Sequence, residues 1–143
     1  MADLPERLQE IVEDFNFLAG QEKLEYLLEL AEQLEPFPER LEDQKANLDE
    51  VHECMTPVFI YAEEEDGHLQ YHFQIPPESP TVRGFAAILQ QGLAGATPEQ
   101  VTGVPNEFYL QMGLQNVLSG QRLNGIAAIL AHMKTLAQKT KES

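Results

Sequence analysis

The sequence is poor in cysteine, in basic side chains and in long apolar runs. Its 143 residues include one cysteine, Cys54, so an internal disulfide framework is excluded. Basic residues number 9 against 24 acidic ones, a formal charge of −15. That field repels phosphate backbones and anionic lipid, so neither nucleic acid nor membrane is an expected partner. No stretch approaches the roughly 18 apolar residues of a spanning helix. The opening MADLPERLQE has no basic segment followed by an apolar run. No signal peptide is therefore expected, and a cytoplasmic location is the default reading. An organellar protein whose transit peptide has been removed reads the same. CxxC, HExxH, Walker-loop and GxGxxG patterns are missing, and His68, His72 and His132 lack ligand spacing. No resident metal or cofactor is expected. The acidic run Glu63 to Asp66 lacks a twelve-residue calcium-loop pattern and reads as a solvated hairpin tip.

What is present is a core. Hydrophobic residues make up 43% of the chain, too many for a disordered acidic tail and enough for one domain spanning 1–143. The acid is uneven. Residues 1–66 hold 20 acidic and 4 basic side chains, a net of −16, and residues 67–143 have a net of +1. Such a split within one domain gives an acidic face able to steer a basic partner.

Apolar spacing predicts a helix over 4–18 (Leu4, Leu8, Ile11, Val12, Phe15, Leu18) and a second over 21–34 (Leu24, Leu27, Leu28, Ala31, Leu34). Pro36 and Pro38 end the second. Residues 35–53 read as irregular, with one helical turn near 39–43. The period then becomes two. Val58 to Ala62 and Leu69 to Ile75 alternate as strands around the turn pair Asp66-Gly67. A lone ribbon is marginal and needs a third strand or helices behind it. Helical period returns over 81–92. Thr97, Pro98 and Gln100 form a helix start, short helical pieces separated by Gly113 cover 105–118, and a final helix begins near Ser119 or Gly120. The order predicts an α+β domain, with helices packed against a small antiparallel sheet.

Cys54 lies between the acidic stretch and the first strand, in Val51-His52-Glu53-Cys54-Met55-Thr56-Pro57. Two readings stand: a small buried hydrophobe, or a thiol held on a loop for reaction with another molecule. Glu50 and Glu53 disfavour its thiolate by like charge unless a cation or a partner compensates. His52 assists proton transfer only if the loop turns it inward. Arg83 and Arg122 stand near the starts of apolar helices, where the helix dipole disfavours a cation. Each is expected either to meet a carboxylate or the Cys54 loop, or to cap the surface with its stem along apolar neighbours. Gly84 and Gly125 interrupt apolar helical runs, which points to close packing. No acid–base constellation accompanies the thiol, so an autonomous enzyme is not expected.

Four segments in order resemble the SufE family of sulfur acceptors in iron–sulfur cluster assembly. They are Glu22 to Leu30 (EKLEYLLEL), Val51 to Phe59 (VHECMTPVF), Pro77 to Gly84 (PESPTVRG) and Leu118 to Ile126 (LSGQRLNGI). The likeness covers about residues 5–138. Cys54, Arg122 and Gly125 match the family pattern, and Arg83 keeps a basic position. Glu53 replaces a glycine, Thr56 a serine, Phe59 a tryptophan and Glu78 an aspartate. The resemblance implies a SufE-like fold and a persulfide relay. A SufS-type cysteine desulfurase, itself carrying pyridoxal phosphate, would pass sulfur to Cys54, and an iron–sulfur scaffold would receive it. The chain would stimulate the desulfurase by unloading it, as a carrier needing no cofactor beyond a transient persulfide. The resemblance also implies that the cysteine loop rests over a hydrophobic cavity and swings out on docking. Arg122 and Glu78, then Arg83 and His52, are the implied supports of the loop or docking face. The competing reading is an acidic adaptor in which Cys54 is incidental.

Overall fold

In a computed structural model, the backbone of residues 4–52 and 57–142 is described, with side chains throughout except at 45–47, 141 and 142. Three strands, β1 (Asp49–Glu50), β2 (Phe59–Glu65) and β3 (His68–Gln74), form one antiparallel sheet in that order. The helices are α1 (Glu6–Asn16), α2 (Gln21–Ala31), α3 (Pro80–Gly92), α4 (Pro98–Thr102) and α5 (Gly120–Glu142). Short 3-10 stretches cover Glu39–Asn47, Phe108–Met112 and Leu114–Asn116. The α+β expectation holds. Among the described residues no helix is long and apolar enough to cross a membrane.

The hairpin forms because its sequence allows little else. Asp66 and Gly67 take φ of +53° and +80°, the pair of left-handed conformations that a tight two-residue turn requires. The register then sets Glu65 opposite His68 and Phe59 opposite Gln74. The missing third strand is β1, which pairs Asp49 with Ile60 and Glu50 with Phe59. It falls within the stretch that the sequence reads as irregular. Two residues are too few to show alternation. The 3-10 segment there also runs further than the single turn expected.

Helix α3 is the hub, packing on α1, α2, α5 and β3, while α5 also covers β2. Gly84 lets α2 and α3 meet, because a Cβ there would stand 2.9 Å from Leu27 Cγ. Gly125 is buried, in line with the packing read from sequence. The capping box of α4 is as expected: Gln100 N donates to Thr97 Oγ1 at 3.2 Å, and Thr97 N donates to Gln100 Oε1 at 2.9 Å. Gly113, at φ +72°, separates the two later 3-10 turns.

One stripe differs from its pattern. On α2 the buried positions are Lys23, Leu27, Leu30 and Ala31, while Leu28 is exposed. Lys23 can be buried because its ammonium donates to Phe15 O at 2.7 Å and Met112 O at 2.9 Å. These carbonyls lie near the ends of α1 and of the Phe108–Met112 turn, where helical carbonyls want cations. The outer face of the sheet is covered too. Arg40 binds Glu63 through two bonds of 2.5 and 2.8 Å, and His72 Nε2 donates to Glu63 Oε1 at 2.9 Å. The Phe37 ring meets His72 edge-on at 6.3 Å. His72 is thereby buried, while His68, four residues earlier, stays exposed and donates to Gly95 O.

Candidate functional site

The loop 51–58 joins β1 to β2 and is pinned at its base. Val51 N donates to Val58 O at 2.9 Å, and both valine side chains are buried. Apolar side chains thus anchor both ends. Residues 53–56, Cys54 among them, lie outside the described residues, so the expected acceptor is located by its flanks. His52 is exposed, its Nδ1 3.7 Å from Glu50 Oε2. The inward position that proton transfer would need is not the one it takes. A second tie holds β1 from behind: His132 Nδ1, on α5, donates to Asp49 Oδ2 at 2.5 Å.

Against the second flank lies an apolar groove of about 430 Å³. Pro57 and Phe59 form one side of it, and Leu34, Pro36 and Phe37 another. Phe73, Ile75 and Arg83 also line it, with Glu35, Gln74 and Pro76. The wall at Pro36 is positioned by a buried glutamine. Gln90 Oε1 accepts from Glu35 N at 3.0 Å, while its Nε2 donates to Tyr71 O at 3.1 Å. One amide therefore ties the exit of α2 to β3.

The two arginines singled out from sequence converge on the start of α3, but neither meets a carboxylate among the described residues. Arg83 is half-buried, and its Nη1 donates to Ile75 O at 2.7 Å. Arg122 Nη1 donates to Thr81 Oγ1 at 3.0 Å. A backbone carbonyl and a hydroxyl, not a carboxylate, are the partners that meet these cations near the helix starts. Glu78 is exposed and makes no ion pair among the described residues. It stands near Arg122's partner in sequence, two residues before Pro80, without touching that arginine. Thr81, Asp49 and Gln90 were not legible as site residues. Each acts through one long-range bond, and single polar residues carry no pattern.

Comparisons with known proteins agree with this geometry. SufE, the Fe-S metabolism associated domain, matches residues 9–137. A SufE-like protein of Mycobacterium tuberculosis is 40% identical over 134 residues, covering 93% of this chain and 92% of its own. The cysteine desulfuration protein SufE of Plasmodium vivax is 25% identical over 138 residues, covering 94% of this chain and 54% of its own. A hypothetical protein of Thermus thermophilus, solved in solution, superposes with a TM-score of 0.86 at 36% identity, over 99% of this chain and 100% of that one. A match of this extent, in sequence and in backbone alike, places the chain in the SufE family.

Proposed function

We propose that the chain is a sulfur acceptor and carrier that takes persulfide sulfur from a cysteine desulfurase onto Cys54. It then delivers that sulfur to iron–sulfur cluster assembly. The observation that carries this reading is the position of the chain's one thiol within a SufE-family fold. Cys54 belongs to a short loop pinned by two buried valines beside an apolar groove. The name of the Plasmodium relative, a cysteine desulfuration protein, supports the same chemistry.

The Cys54 thiolate attacks the outer sulfur of the desulfurase persulfide. The bond between the two persulfide sulfurs breaks, the desulfurase cysteine leaves as its thiolate, and Cys54 holds the sulfur as Cys54–S–SH. No external oxidant or reductant is consumed. Unloading the desulfurase in this way raises its turnover. Arg122, through Thr81, braces the start of α3 next to the groove, and Glu78 stands exposed where a docking partner can meet it.

The test is mass spectrometry after incubation with a SufS-type desulfurase and free cysteine. Wild type should gain ~32 Da, one sulfur atom, and Cys54→Ser should gain none while still binding the desulfurase. An adduct on the serine variant, or none on wild type, overturns the assignment. If Cys54→Ser leaves every activity intact, the chain is an adaptor.

A further inference from the structure

We propose that the surface where α1 runs into α2 is a docking site for a basic amphipathic segment of a partner protein, with Phe17 and Leu110 as its apolar anchors. This goes beyond sulfur acceptance and does not depend on Cys54.

Three observations carry it. The first is exposure. Phe17 is 88% exposed and Leu110 47%, two of the three large apolar side chains that stand exposed among the described residues. Scattered singly, such residues need no explanation, but the fold brings these two together. Lys23 Nζ donates to Phe15 O at 2.7 Å and to Met112 O at 2.9 Å, so each exposed residue stands two positions from a carbonyl on the same ammonium. The second is the rim. Glu13 and Asp14, one helical turn before Phe17, are exposed, as is Glu107, three residues before Leu110. Glu22 accepts from Ala19 N at 3.2 Å and places a further exposed carboxylate at the start of α2. Two cations oppose this acid only in part: Lys23 is buried between the two turns, and Lys134 donates to Asn106 Oδ1 at 2.6 Å on the Leu110 side. Apolar anchors among carboxylates are complementary to apolar residues flanked by lysine or arginine. The same acid repels a second copy of a chain of charge −15, and an anionic lipid surface. The third is position. Leu34, Pro36 and Phe37 of the groove lie beyond the other end of α2. The eight residues from Lys23 to Ala31 make about 12 Å of helix, so this surface is separate from the groove beside Pro57.

The experiment is an NMR titration of the full isotope-labelled chain with two synthetic peptides of equal positive charge, each about twelve residues long. One combines lysine with leucine at amphipathic-helix spacing, and in the other serine replaces every leucine. The leucine peptide should move amide signals within 13–22 and 107–112. Phe17→Ser and Leu110→Ser should each weaken its binding about fivefold or more. The serine peptide should bind wild type more weakly by at least about the same factor. Both replaced side chains are exposed, so each variant should keep the wild-type Tm. Equal affinity for the two peptides, or shifts centred on the acidic hairpin tip at 63–67, would mean that charge alone attracts the peptide, and overturns the proposal. So does a Phe17→Ser variant that binds as wild type does. A wild-type dimer in sedimentation that Phe17→Ser abolishes assigns the face to a second copy and overturns it as well. The peptides carry no sulfur to transfer, so the outcome is independent of the mass-spectrometric test of sulfur acceptance.

Discussion

A buried ammonium costs several kcal/mol unless its protons are taken up, and Lys23 shows how few groups suffice. Two carbonyls, Phe15 O and Met112 O, hold it between α1 and the Phe108–Met112 turn. Lys23→Met keeps the volume and removes the donors. It should cost about 2 kcal/mol, seen as a fall in Tm of roughly 5 °C on thermal unfolding. Glu63 is the acidic counterpart. Hydrogen bonds from Arg40, then from His72, hold its carboxyl down at about 2, against the ordinary 4.5. A carboxyl whose pKa is depressed by folding stabilises the fold above its unfolded pKa. It loses that contribution as pH falls through the folded value. Glu63→Gln should therefore be less stable than wild type by about 1 kcal/mol at pH 7, allowing for solvent screening. The gap should close between about pH 4.5 and pH 2. Denaturant melts across that range would show it, and a gap independent of pH would refute the linkage.

Helix–helix contact depends on single atoms. At Gly84 a Cβ would press on Leu27, so Gly84→Ala should destabilise by about 2 kcal/mol although alanine is the better helix former. At Gly120, the first residue of α5, nothing lies within 4 Å of a Cβ, and alanine should be neutral or slightly stabilising. Chemical denaturation of the pair separates packing from propensity. Elements whose signal repeats along the chain were legible in the sequence: α1, the hairpin and α3, and with them the capping box at Thr97 and the start of α5. Those defined by one or two partners were not. Strand β1 exists because β2 offers an edge, and Lys23 is buried because two carbonyls await it. His72 is covered by Phe37 and the Arg40–Glu63 pair, in which Phe37 and Arg40 come from the stretch read as irregular. The candidate site divides in the same way. A thiol between the acidic stretch and the first strand, and a helix ended by Pro36 and Pro38, can be seen in sequence, but the groove requires Gln90 to reach across to Glu35.

Across the whole molecule, charge and architecture are distributed differently. Part of the acid of the first 66 residues lies on the outward sides of α1 and α2, with Glu13, Asp14, Glu22, Glu25 and Glu29 exposed, part in the stretch between α2 and β2, and part at the hairpin tip. Sulfur transfer from a desulfurase steered by this field should slow as salt rises from about 0.01 M to 0.5 M, through the apparent KM more than through kcat. Stopped-flow transfer kinetics at several ionic strengths would measure it, and a salt-independent KM would remove steering from the account. Two long-range side-chain ties, by contrast, start from α5. Its Arg122 grips Thr81 on the first turn of α3, and its His132 grips Asp49 on β1. Ten residues separate the two grips, about 15 Å of helix at 1.5 Å per residue. In mechanical terms α5 is a strut with a fastening at each of two joints. The start of α3 and the strand from which the thiol loop departs are thus fastened to one and the same helix.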